Sequence, residues 1–302
     1  MNCDYTSGTR FRLACGLLLA LGASIIAPMG LGQAAPPAKA KLMNKTDFDR
    51  LFDQKDWTAV RVAQQSGPAI VPYVEPHLKN KDEVVRLLAV DCLDVAGGSE
   101  AAVLLIHALA DSNEQVRNNA VNALHKNLPV GHEAALLAAW DASQHRDTYL
   151  RQQIPLILGQ MGAHDRLQEL KARLEADHRQ PVKDGIITGA AKLGDHEARI
   201  TFGQLLRDAR GPRTADLIEF VKYLDEPWVI PQLVPVLQRK DVALVLSTHI
   251  NDVIRRDCDL AVDQVLSISK MRFSFGPNPP GGQYSDAQIS EALRFAQAQP
   301  GP

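Results

Sequence analysis

A two-residue signature returns about every 32 residues along this chain: Val85-Arg86, Val116-Arg117, Leu150-Arg151 and Val182-Lys183. The steps between the basic residues are 31, 34 and 32. Each signature opens an apolar run with helical spacing. Four residues after the first apolar position stand Ala89, Ala120, Ile154 and Ile186; eight after it stand Leu93, Leu124, Leu158 and Ala190. That spacing keeps one face of a helix apolar. Self-similarity at a period of about 20 to 50 residues belongs to stacked arrays, because one unit cannot bury its own apolar face.

A longer-range match fixes the register. Val71-Pro-Tyr-Val-Glu-Pro76-His-Leu78 and Ile230-Pro-Gln-Leu-Val-Pro235-Val-Leu237 share a pattern, as do Lys81-Asp82 and Lys240-Asp241. All are offset by 159 residues, five periods of about 32. The expected product is all-α, a right-handed α-α superhelix of about six helix pairs over residues 46–270. Each unit has a first helix, A, and a second, B. Unit boundaries fall near 46–81, 82–112, 113–144, 145–177, 178–209 and 210–241, with a divergent closing unit to about 270. Pro72, Pro76, Pro231 and Pro235 fall near B-helix starts, where a missing N–H costs little. Pro155 predicts a kink inside an A helix. Aromatics are only 5% of the chain, which suits close helix packing through small residues.

The ends read differently. Arg10 and Arg12 precede an apolar Leu13–Ala27 stretch, and Gly32-Gln33-Ala34 offers a cleavage site after Ala34. Residues 1–34 are therefore expected to be a signal peptide, with an uncleaved anchor as the alternative. No membrane insertion is expected after cleavage. Residues 35–45 read as a flexible linker. Thr46-Asp-Phe-Asp49 resembles a helix-start cap. Residues 271–302 begin turn-rich and then offer a capping box, Ser285-Asp-Ala-Gln288, for a last helix to about Gln297. Phe273, Phe275 and Tyr284 either fold back to cap the array or belong to a free interaction tail.

Cleavage would leave Cys92 and Cys258. Five layers at roughly 10 Å each keep them out of disulfide reach. Cys92 occupies the slot of Ala123, Ile157 and Gly189, a buried small position. The formal net charge of −2 supplies no basic field for nucleic acid.

Asp82-Glu-Val-Val-Arg86 through Gly97-Gly98, and Asp111-Ser-Asn-Glu-Gln-Val-Arg117 through Leu124, resemble HEAT-like repeats of the subtype also found in phycobilin lyases. The resemblance covers about three quarters of the chain. It implies a helical solenoid and leaves function open, since such repeats serve scaffolds, adaptors, inhibitors and a few enzymes. It also suggests a structural ladder of Arg86, Asp111, Arg117, Arg151, Asp177 and Lys183. Asp111 stands six residues before Arg117 and Asp177 six before Lys183, so each acid is expected to pair with the next unit's base.

One periodic constellation carries possible chemistry. His132-Glu133, His164-Asp165 and His196-Glu197 recur at steps of 32 where B helices begin. Imidazole and carboxylate in a row suit a divalent metal. HEAT-like deoxyhypusine hydroxylases use His-Glu pairs for iron, but here the pairs sit in the interhelix turn. The competing reading is helix capping, since Ser99-Glu100 fills the same slot without histidine. No phosphate loop, nucleophile elbow, Cys-x-x-Cys or dinucleotide fingerprint is present.

The expected function is therefore non-catalytic and cofactor-free: an exported scaffold binding another protein along the B-helix groove. Candidate contacts are Tyr73, His107, Trp140, Lys171, Gln204 and Gln232, with the reservation that Tyr73 and Trp140 also suit packing between units. The alternatives are a metal-dependent enzyme at the His-acid edge, and a structural envelope component docking through its tail.

Overall fold

The computed structural model describes residues 43–143, 147–247, 252–277 and 279–301. The expected signal peptide and nearly all of the linker lie outside the described residues. The described chain is a stack of helix pairs. Helix α1 (Lys45–Asp53) precedes the first pair as an extra element, with Phe48 and Phe52 buried on its inner side. Its N-cap is Asn44, not Thr46: the Asn44 side chain accepts the Asp47 amide at 2.9 Å.

The six pairs follow. Helix α2 (Thr58–Ser66) pairs with a broken segment in which α3 (Val71–Val74) lies between 3-10 turns at Gly67–Ile70 and Glu75–Lys79. Helix α4 (Glu83–Ala96) pairs with α5 (Ser99–Ala108), α6 (Glu114–Lys126) with α7 (Glu133–Ala142), and α8 (Thr148–Met161) with α9 (Leu167–Ala176). Helix α10 (Gln180–Lys192) pairs with α11 (His196–Asp208). Helix α12 (Pro212–Leu224) is followed by a 3-10 turn, Pro227–Leu233, and α13 (Val234–Leu237). The two proline-rich segments that match across five periods thus share a broken form. Pro72, Pro76 and Pro235 each occupy the first turn of a short segment, where no N–H is needed.

Every aligned apolar position, from Val85 to Ala190, is buried. Successive A helices pack on one another along the stack. The turn from A to B uses glycine in units three to five: Gly131, Gly162 and Gly194 have φ of 86°, 69° and 88°, where a Cβ would be strained. Helices α8 and α10 approach unusually closely. A Cβ on Gly185 would lie 2.2 Å from the Gln152 carbonyl oxygen, and one on Gly189 2.3 Å from that of Pro155.

The last part departs from a purely helical expectation. Strands β1 (Val242–Ser247) and β2 (Asp252–Arg256) form an antiparallel hairpin. It leads into α14 (Asp257–Ser269), and α15 (Asp286–Gln297) closes the chain. The Ser285/Gln288 capping box forms: Ser285 N–H donates to Gln288 Oε1 at 2.8 Å. The tail packs on the array. Tyr284 is buried and its hydroxyl donates to Asp263 of α14 at 2.6 Å, α15 packs against α13 and α14, and within the tail Phe273 meets Phe295 at 5.4 Å and Phe275 meets Tyr284 at 5.5 Å between ring centres. The tail is therefore not free of the array: Phe273, Phe275 and Phe295 pack against the core that includes Leu217 of α12 and Val262 and Val265 of α14. Among the described residues no helix is long and apolar enough to cross a membrane.

Candidate functional site

The basic ladder forms, but one unit out of the expected register. Arg86 Nε lies 2.7 Å from Asp111, Arg117 Nε 2.7 Å from Asp147, and Arg151 Nη2 2.9 Å from Asp177. Each arginine reaches the acid at the junction between its own unit and the next. The residue six back supplies a backbone carbonyl instead, Asn80 for Arg86 at 2.9 Å and Asp111 for Arg117 at 2.8 Å. Each acid also ties the turn ahead. Asp111 accepts the Asn113 amide, Asp147 the Leu150 amide and Asp177 the Arg179 amide. Asp147 and Arg179 were not legible as rungs. The pairing expected between Asp177 and Lys183 does not occur: Asp177 is taken by Arg151 and by Arg179 at 2.7 Å.

Electrostatics agree with a structural role. The Arg179 hydrogen bond, joined by Arg151, holds the Asp177 carboxyl well below the ordinary range against the opposing effect of burial. Burial raises Asp111, but Arg86 and the Asn113 amide outweigh it and the net shift is downward.

The six candidate contacts separate on inspection. Trp140 is 1% exposed, and Arg151 of the next unit lies over its ring at 4.7 Å, so it is packing and not a contact surface. Tyr73 is half-buried, its ring 6.3 Å from Phe48. Gln232 is half-buried, and its side chain occupies the space that a Cβ on Gly203 would need. His107 and Gln204 are exposed. Lys171 is half-exposed and bridges α9 to α11 through Asp195 at 3.2 Å and Glu197 at 3.0 Å.

Among the described residues, two of the clefts between successive B segments combine apolar and acidic linings. One, of about 370 Å³, lies between α3 and α5 and is lined by Val71, Pro72, Val103 and Leu104, with Glu75 and Glu100 among its lining residues. The other, of about 250 Å³, lies between α9 and α11 over Leu174, Ile187 and Ala198, with Glu175, Asp195 and Glu197 around Lys171. Between them α7 exposes only small side chains, Ala134, Ala135 and Ala138, over its first turns. Each cleft combines apolar lining with acidic residues.

The three His-acid pairs do not converge. Glu133 Oε1 accepts the Gly131 amide at 3.0 Å. Its own amide, together with that of Gly131, holds it below the usual carboxylate range. Asp165 pairs with Arg166 at 3.2 Å, and Glu197 with Lys171. Their histidines begin separate helices or turns: His132 precedes α7, His164 opens a 3-10 turn, and His196 opens α11. Among the described residues no three His, Cys, Asp or Glu are grouped so as to hold a metal. Stacking spreads the pairs along an edge one per layer, and each acid already has a partner.

The chain matches no curated protein sequence. A solved structure, the complex of CpcE and CpcF of phycocyanin lyase from Nostoc sp. PCC7120, resembles it with a TM-score of 0.47 and 12% identity over 88% of this chain and 100% of that chain. Residues 104–191, from the middle of α5 through α10, match the family model of HEAT repeats, and the described residues form a solenoid of stacked helix pairs.

Proposed function

We propose that this protein is a non-catalytic scaffold, acting after export, that holds a protein partner along the B-helix face. The observation that carries the reading is the pair of B-side clefts, whose apolar linings are combined with acids: Glu75 and Glu100 in one, Glu175, Asp195 and Glu197 in the other. A partner segment carrying apolar side chains beside lysine or arginine would satisfy both features. Of the six candidate contacts, His107, Lys171 and Gln204 are exposed enough to meet it. Export rests on Arg10, Arg12 and the Leu13–Ala27 run, and N-terminal sequencing of the protein recovered from its host tests it directly.

The groove is tested by capturing the partner of the native protein with a crosslinker and then measuring its affinity for two variants. Glu75→Lys/Glu100→Lys reverses the charge of the first cleft, and His107→Ala/Lys171→Ala/Gln204→Ala strips the candidate contacts. Weakening by tenfold or more with unchanged helix content supports the groove. Unchanged affinity in both variants removes it.

A further inference from the structure

The hairpin carries a surface that the helical stack does not explain. Val242, Leu244, Val245, Leu246 and Ile254 are 50%, 38%, 50%, 47% and 41% exposed. Ala243, at the register shift between Val242 and Leu244, turns inward and is buried. Beyond it the strand alternates: Leu244 and Leu246 lie on one face, Val245 on the other beside its cross-strand neighbour Ile254. Both faces are thus apolar. A two-stranded hairpin is marginal alone and gains from further strands.

Its two edges are unlike. The β2 side carries Asp252, Arg255 and Arg256, and the tail lies against it. Gly282 leaves no room for a Cβ beside Val253, and Gln283 Nε2 donates to the Ile254 carbonyl at 3.3 Å. The β1 side has no charge and no proline from Val242 to Ser247, the devices by which edge strands usually avoid pairing. Helix α12 packs against β1, with Gly211 near the Val242 carbonyl, and beyond that point Leu244, Val245 and Leu246 remain exposed.

We propose that β1 is a self-association edge, at which a second copy of this chain pairs antiparallel, centred on Val245. Three observations select a second copy. The strand is uncharged, so no like charges oppose when it meets itself. Centring on Val245 sets Leu244 against Leu246 and Val245 against Val245, whereas a shift of one residue either way sets Val245 against Ala243 or Ser247. With the Val245–Ile254 pair of each hairpin, the four-stranded sheet then carries an unbroken cross-strand row of β-branched residues, Ile254, Val245, Val245 and Ile254. The covered β2 edge leaves one open edge per copy, so the assembly closes as a two-fold dimer and does not grow into a fibre.

The test is sedimentation equilibrium of the purified chain and of two variants, Val245→Lys and Val245→Asp, with circular dichroism to confirm folding. Position 245 is half exposed, so either charge is tolerated in a monomer. The expected results are a wild-type dimer, each variant weakened about tenfold or more by like charges placed directly opposite, and recovery of the dimer when the two variants are mixed. A wild-type monomer, including one that instead binds lipid vesicles or another protein through the hairpin, overturns the proposal. So does a dimer unaffected by Val245→Lys, or a mixture of the two folded variants that stays monomeric.

Discussion

Arg117 is bound to Asp147, 30 residues ahead, with Nε 2.7 Å from Oδ2. Asp111, six residues behind, gives it only a backbone carbonyl. Asp147 also caps α8 through the Leu150 amide at 2.9 Å, so one carboxylate closes one unit and starts the next. Asp147→Ala should cost more than the roughly 0–1 kcal/mol of an exposed ion pair, with a further loss of about 1 kcal/mol for the cap. Asp147→Asn keeps a capping acceptor and should cost less. A double-mutant cycle on urea unfolding should give Arg117→Met and Asp147→Asn a coupling above about 1 kcal/mol, and Arg117→Met with Asp111→Asn under about 0.5 kcal/mol. The reverse order would put the ladder back in the register read from the sequence.

The same rungs set a pH dependence. Asp177 and Asp111 have folded-state pKa values below their unfolded ones. Their contribution is therefore complete above the unfolded carboxylate value of about 4 and is lost as pH falls through the folded values. Asp257 acts oppositely, because burial raises its pKa and protonation relieves that cost. The urea midpoint should start to drop below about pH 5 and keep falling as the pH passes down through the folded values, and Asp111→Asn/Asp177→Asn should flatten the drop. An equally steep drop in that variant would assign the acid response to other groups.

What the sequence conveys follows from the range of each effect. The A-helix faces were legible because a helix imposes a fixed spacing, and every aligned position from Val85 to Ala190 is buried. The ladder partner was not. An arginine at the start of an A helix lies near the acid that precedes its own unit and the acid that ends it, and only the backbone shows that a carbonyl occupies the first place. Asp147 was hidden further because it stands four residues before Arg151, not six. Trp140 has the composition of an interface anchor, but Arg151 of the following helix lies over its ring. The hairpin had a readable signal, a short run of Val, Ala and Leu bounded by Lys240-Asp241 and Asn251-Asp252. Extending the repeat period across it concealed that signal.

Cys92 and Cys258 are buried and unpaired, and burial lifts the Cys92 thiol to about 12. Thiolate is the reactive form, so both should be inert in the native protein. An aromatic disulfide reagent should release no signal from these two thiols until denaturant is added, and a reducing agent should leave the melting temperature unchanged. Rapid native labelling of Cys92 would mean that the α4–α6 layer opens locally.

The seam between α8 and α10 gives the sharpest stability test, because two opposing terms differ in sign. Gly→Ala inside a helix normally stabilises by about 1 kcal/mol through lower chain entropy and better propensity. At Gly185 and Gly189 the new methyl would sit 2.2 Å and 2.3 Å from carbonyl oxygens of the facing helix. Those atoms belong to backbone and cannot rotate away, so the helices must separate. Overpacking of this kind costs about 1–3 kcal/mol. Gly185→Ala and Gly189→Ala should therefore lower the melting temperature despite the propensity gain. Gly194→Ala, with φ of +88° and nothing within 4 Å, should lose only the backbone term, about 1–2 kcal/mol. The pair of seam variants should also act non-additively, since the first separation of the helices makes room for the second methyl. A rise in melting temperature for either seam variant would mean that α8 and α10 are not held in this close contact in solution.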